Sequence, residues 1–207
     1  YQNIFMELTP QEPENAGDQL LGKKYAAMHH LSWQATKWLN IGFFESVVFG
    51  RKNKFDFTYL VPVIFLRSLE QQNGSADNAN VGIDFKANVA RKFQFYGQLL
   101  FDEFKLSEMK GGKKWWGNKY GLQLGGKYID AFGIKNLDLQ GELNWVRPFM
   151  YTFRDSVANY THYNQPLAHP RGANFTEAIG IARYQPLPRL TIQGKLIVWK
   201  QGLDSAG

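Results

Sequence analysis

The chain contains no cysteine. That absence excludes a disulfide framework, thiolate metal sites and thiol chemistry. No run reaches the roughly twenty apolar residues of a membrane-crossing helix. Charge is modest, with 20% charged residues and a net charge of +6. With 44% hydrophobic residues, that balance excludes a disordered polyelectrolyte. The basic residues are dispersed except at Lys110, Lys113 and Lys114. A nucleic-acid surface needs a basic stripe interleaved with rings, and none is present. The cluster suits a solvated loop or attraction to anionic polysaccharide and lipid A phosphates. Catalytic patterns are missing too. There is no G-x-S-x-G. His162 and His169 have no acidic residue between them and match no common zinc spacing. Asp102 and Glu103 are adjacent on a strand, so they point to opposite faces and cannot act as a close pair. The sequence therefore predicts no enzyme, no cofactor and no metal. Asn159-Tyr160-Thr161 and Asn174-Phe175-Thr176 match glycosylation acceptors by chance.

What is present is a two-residue beat. In Leu137 to Val146, Leu137, Leu139, Gly141, Leu143 and Trp145 alternate with Asp138, Gln140, Glu142 and Asn144. Successive side chains on a strand point to opposite faces, so one face is apolar and the other polar. The beat recurs over 81–90, 93–102 and 120–128, and more weakly over 190–199. It predicts nine strands, at about 25–36, 39–50, 55–67, 79–90, 93–105, 116–128, 137–150, 175–184 and 190–200. Residues 1–24 read mostly as loop, after a short strand at about 3–8. Residues 25–200 form strands and loops of a single domain spanning 1–207. A soluble sandwich or lipocalin-like barrel with its apolar face inward is the plain alternative. The aromatic, membrane-length apolar faces favour an antiparallel up-and-down transmembrane β-barrel. A negative mean hydropathy does not oppose this, because every second residue of such a strand is polar.

The predicted connections sort by parity. Those at 51–54, 91–92, 129–136 and 185–189 are mostly short. Of those at 37–38, 68–78, 106–115 and 151–174, three are long. Outer-membrane barrels have short turns on one side and long loops on the other. Trp33, Trp38, Trp115, Trp116, Trp145 and Trp199 fall mostly near strand ends or in turns, as interfacial girdles do. Nine is an awkward number, because bacterial barrels usually have an even count and open edges in lipid are costly. The expectation is a fragment, with nine or ten strands, of a larger barrel. Asp84, Lys86, Gln98, Asp102, Gln123, Lys127, Asp138, Gln140, Glu142 and Asn144 are expected to line its interior.

The densest polar constellation runs from Asn159 to Phe175. It holds Tyr160, His162, Tyr163, Asn164, Gln165, His169 and Arg171. Rings, amides and a guanidinium can stack on sugar faces and bond hydroxyls. The same groups can instead lock an ordered loop whose turns are set by Pro166, Pro170 and Gly172. Lys113, Lys114, Trp115 and Trp116 form a second candidate contact loop.

Several strings carry a family likeness: Phe65 to Ser75 leading into Asp77-Asn78 and the strand Gly82-Ile83-Asp84-Phe85-Lys86; Gln94 to Leu100 with Asp102-Glu103-Phe104; Trp115-Trp116-Gly117-Asn118-Lys119-Tyr120-Gly121; Leu137 to Asn144; and the Thr161 to Phe175 loop. Together they resemble the capsule-assembly Wzi-like outer-membrane family, in the branch that includes gliding-motility-associated proteins. The likeness spans most of residues 55–190. It implies a Gram-negative outer-membrane barrel, longer than this chain on both sides, that attaches, organises or displays surface polysaccharide without catalysis. Its partners would be lipid, lipopolysaccharide, polysaccharide and other envelope proteins. The competing expectations are a channel or structural subunit of an envelope secretion or motility complex, and a soluble sugar-binding β-domain.

Overall fold

The computed structural model describes residues 1–10, 22–51, 54–63, 66, 77–102, 119–153 and 156–202. The chain is all-β. Nine strands form one antiparallel sheet: β1 (Gln2–Leu8), β2 (Lys24–Gln34), β3 (Leu39–Phe49), β4 (Asn78–Val89), β5 (Phe93–Asp102), β6 (Lys119–Tyr128), β7 (Leu137–Val146), β10 (Phe175–Leu187) and β11 (Leu190–Gln201). Between β7 and β10 lies a separate two-stranded ribbon of β8 (Thr161–His162) and β9 (Gln165–Pro166). Each sheet strand pairs with its neighbour in this order, and β1 and β11 are open edges.

One expectation is corrected. Of the strand expected at 55–67, the described residues, 55–63 and 66, are not strand; 64, 65 and 67 lie outside the described residues. The segment holds a short 3₁₀ turn at Phe57–Tyr59, with the Asp56 side chain accepting from Thr58 N. Its rings pack onto the sheet instead of joining it, because Phe55, Tyr59 and Leu66 cover Tyr25, Ala27, Val47, Phe49 and Ala79. Arg51 pins its base through a paired contact with Asp77, at 2.6 Å twice, and a further bond to Asp56 at 3.2 Å. The short strand expected at about 3–8 is β1 (Gln2–Leu8). β1 pairs in full register with β2 from Gln2↔His30 to Leu8↔Lys24. Among the described residues the main sheet thus holds nine strands, with β1 in the count in exchange for 55–67. The expected strand portions at 103–105 and 116–118 lie outside the described residues.

That exchange completes the sorting of connections. The links at 35–38, 90–92, 129–136 and 188–189 all lie at one end and are short. The links at 9–23, 50–77, 103–118 and 147–174 all lie at the other end and are long. We call these the turn end and the loop end.

Register carries through every pairing from β2 to β10 without a slip. One face therefore collects His30, Phe44, Asp84, Gln98, Gln123, Asn144 and Glu177. The opposite face collects Phe43, Ile83, Phe95, Leu124, Leu143 and Leu196. The sheet curls toward the first of these. Thr9, just past β1, is bonded by His162, and Gln201 of β11 bonds Arg171 O. Nine flat strands would set their edges ~38 Å apart. The path from residue 162 to 171 doubles back at the His162↔Gln165 pair and at the Gly172 N–His169 O turn, so it covers far less than the ~31 Å it could span extended. Only a curved sheet lets one loop reach both edges.

The β4–β5 turn is strained. Ala90 and Arg91 both adopt positive φ, 50° and 59°, at the centre of a tight turn in the three-residue 90–92 connection, whose Lys92 N donates to Val89 O at 3.2 Å. Such turns favour Asn-Gly. Replacing Ala90→Asn together with Arg91→Gly should stabilise the chain by about 1 kcal/mol, read as a higher midpoint in denaturant titration.

Candidate functional site

The concave face is a continuous polar floor. Cross-strand pairing places Asp84, Gln98, Gln123, Asn144 and Glu177 in one row. One level toward the turn end stand Lys86, Tyr96, Gly125 and Glu142. Glycine at 125 matters, because a Cβ there would collide with the Tyr96 ring. With that space open, Tyr96 leans across β6 to β7. Its hydroxyl donates to Glu142 Oε2 at 2.6 Å and accepts from Gln140 Nε2 at 2.7 Å. Glu142 Oε1 also accepts from Gln123 and Asn144, at 3.1 and 3.0 Å. Among the described residues the carboxylate is thereby held by neutral donors, with no cation in its shell.

The segment 147–174 lies over this floor at the loop end. Tyr151 N donates to Asp102 Oδ2 at 3.0 Å, and Lys119 Nζ donates to Thr152 O at 2.7 Å. Asn78 Nδ2 donates to Ala158 O at 3.0 Å. Lys24 Nζ donates to Asn159 O at 2.7 Å and to Thr161 Oγ1 at 3.2 Å. Thr9 N donates to His162 Nδ1 at 3.0 Å. On the other flank Glu177 is a hub: Arg171 Nε lies at 2.7 Å from Oε2, His169 Nε2 at 3.0 Å from Oε1 and Asn144 Nδ2 at 3.3 Å from Oε1. The Arg171 guanidinium stacks 3.9 Å from the Trp199 ring centroid. Charge-assisted contacts of this kind are the stronger ones.

Between loop and floor lie two adjoining cavities. The first, about 380 Å³, is lined by Gln98, Gln123, Asn144, Tyr151, Tyr160 and His169 among others. The second, about 400 Å³, is lined by Ile4, Met28, His30, Asp84, Gln98 and Tyr160 among others. Tyr160, Gln98 and Phe44 line both. His30 Nε2 is 2.8 Å from Asp84 Oδ2, which fixes that wall. An amide floor under aromatic edges suits a neutral polyhydroxy ligand.

The ten residues expected to line the interior share this one face. Of the expected ligand residues, Tyr160 and His169 reach the cavities. His162 and Arg171 are spent on holding the loop. Tyr163, Asn164 and Gln165 are exposed at the tip of the β8–β9 ribbon, where Tyr163 and Asn164 take φ of 47° and 61°. Lys113, Lys114, Trp115 and Trp116 lie outside the described residues. Sequence reasoning missed Glu177, although a lone carboxylate sharing a strand face with Phe175, Ile179 and Ile181 was a signal that it needed a partner. It also missed Lys24, whose role depends on a chain segment far along the sequence.

Among the described residues no group of three or more metal-ligating side chains occurs, and no helix is long and apolar enough to cross a membrane; the latter says nothing about a β-barrel. No family model, no curated protein and no solved structure matches the chain.

Two outcomes follow from the loop's fastenings. Arg171→Ala should release the Glu177 flank and raise limited-proteolysis rates within 151–174 by roughly tenfold, with the sheet's circular dichroism unchanged. Burial pushes the Tyr151 hydroxyl up to about 12, with Tyr160 and Asp102 adding to the rise. A raised pKa means the folded loop prefers the neutral phenol. Its contribution is full below the ordinary tyrosine pKa near 10 and is lost as pH rises toward about 12. Tyrosinate absorbance should report this loss together with loop opening, and Tyr151→Phe should remove that alkaline step.

Proposed function

We propose that the chain is a wall of an outer-membrane β-barrel that holds and organises surface polysaccharide without catalysis. One observation carries the membrane part. The convex face exposes large apolar side chains on eight strands: Leu31 and Trp33, Ile41 and Phe43, Ile83 and Phe85, Phe93 and Phe95, Leu124, Leu143 and Trp145, Tyr184, and Ile192, Leu196 and Val198. Soluble monomers rarely expose a contiguous apolar patch of more than a few hundred Å². Here the polar face is folded over by its own loop while much of the apolar face is exposed among the described residues, the reverse of a soluble sandwich.

The dimensions agree with a bilayer. Tyr120 and Tyr128 on β6 are eight residues apart, ~27 Å along the strand, which a typical tilt shortens to ~21 Å of membrane thickness. Tyr120 packs edge-on to Trp145 at 5.5 Å, and Tyr128 stacks on Phe93 at 4.6 Å, so rings gather at two levels. Phe55, Tyr59 and Leu66 shield the loop-end part of the convex face on β2 to β4, which on this reading stands above the lipid. β1 and β11 run in the same direction, so antiparallel closure takes an odd number of further strands and gives an even total.

The polysaccharide part rests on the amide-floored cavities beside Tyr160 and on the likeness of residues 55–190 to the Wzi-like family. The loop across the trough favours this reading over an open channel.

Leu143→Arg should cost about 2–4 kcal/mol and block assembly into bilayers, whereas Gln140→Arg on the concave face should assemble. Heat-modifiable migration on a gel is the readout. Normal insertion of Leu143→Arg, or detergent-free solubility of the unaltered chain, would overturn the membrane reading. Lack of binding to any surface polysaccharide in a glycan array would remove the polysaccharide part alone.

A further inference from the structure

The concave face is not uniform. From β4 to β7 its side chains are almost all polar. On β10 and β11 the same face carries Ile179, Ile181, Ile197 and Trp199. Ile179 pairs with Ile197, so these apolar groups are contiguous across the hairpin. The convex face of the hairpin is apolar as well, with Leu196 and Val198 exposed. A strand pair that is apolar on both faces has something to bury on each side. Lipid would cover one face; on the other, Ile179, Ile181 and Ile197 are only half-buried, and Trp199 meets the Arg171 guanidinium.

The charges beside this strip are unbalanced. Lys127 and Lys195 lie in one cross-strand row, with Gln140 and Ile181 between them. Arg183 stands one level closer to the turn end, opposite Asp138. Among the described residues, Lys127, Arg183 and Lys195 make no ion pair. Lys127 only approaches the Tyr96 ring, at 5.9 Å. The other carboxylates of the face are already engaged. Asp84 bonds His30, Asp102 bonds Tyr151 N, Glu142 is saturated by neutral donors, and Glu177 holds His169 and Arg171. Only Asp138 stands near the three cations. The turn end of this strip is therefore cationic and its middle is apolar.

We propose that the concave face of the β10–β11 hairpin binds an anionic amphiphile, with its phosphate headgroup among Lys127, Arg183 and Lys195 and its acyl chain along Ile181, Ile179 and Ile197 toward Trp199. This is the chemistry of a lysophospholipid. A polyanion would use the cations and leave the isoleucines bare. A neutral alkyl chain would do the opposite. The proposal needs only the strand register and the face assignment, so it stands apart from the polysaccharide reading.

Octyl phosphate, below its micelle concentration, is titrated into the full chain held in zwitterionic nanodiscs. Trp199 emission is the signal, isolated by subtraction of Trp199→Phe. Saturable binding with a blue shift is expected. Arg183→Gln with Lys195→Gln should weaken it about tenfold or more, and so should Ile181→Asn. Octyl glucoside and inorganic phosphate should each bind far more weakly. Equal binding of octyl glucoside would show that the cations do no work, and equal binding of inorganic phosphate would show the same of the isoleucines. Either result, or the absence of saturable binding, overturns the proposal. Nanodisc incorporation is scored separately, so failure of the membrane reading is seen as failure to incorporate and the titration is then run in buffer alone.

Discussion

The structure depends on unbroken register. A side chain on a strand has a period of two, so a slip of one residue in any pairing would turn that strand's polar set outward. From β2 to β10 no slip occurs, and rows of side chains cross the sheet level by level. Everything functional is a product of this. Gln98, Gln123 and Asn144 form a floor only because three strands present the same parity at the same height. Tyr96 finds Glu142 two strands away because β6 is in step between them and offers Gly125 at the crossing.

The two faces then divide the work. On the concave side, carboxylates are answered by amides, a phenol, histidines and an arginine, so a polar surface is folded over without leaving bare charge at the loop end. On the convex side, rings and aliphatic groups are widely exposed, and Phe55, Tyr59 and Leu66 pack over β2 to β4. There Tyr59 donates to Asp77, and Leu66 N donates to Glu45, which also holds His29 at 3.0 Å. Covered and bare areas meet at a definite height on the sheet.

Much of this was legible in the sequence. Strict alternation over 81–90, 93–102 and 137–146 fixed strand identity and face, since few other structures repeat every two residues. The expected interior residues share one face for that reason. What misled was composition without periodicity. Residues 55–67 are rich in Phe, Tyr, Val, Ile and Leu, but they do not alternate, and Pro62 interrupts them. Their rings serve packing across the sheet rather than pairing within it. The loop's fastenings were out of reach for a different reason. Chemistry in the Asn159–Phe175 string was visible, but whether His162 meets a ligand or Thr9 depends on curvature, which belongs to the whole sheet.

The bond from Thr9 to His162 joins residues 153 apart in sequence, the Lys24–Asn159 contact joins residues 135 apart, and the loop's other flank leans on β11. Such distant partners can meet only after the intervening strands are paired, because closing so long a chain segment has no local reward. The loop is accordingly the last part to settle. During assembly the trough stands open, and its seal is added from one end once both outermost strands are in position. A chain stalled before that step would have a complete sheet and an unguarded interior, and quality-control proteases could tell it from the finished form by one accessible segment.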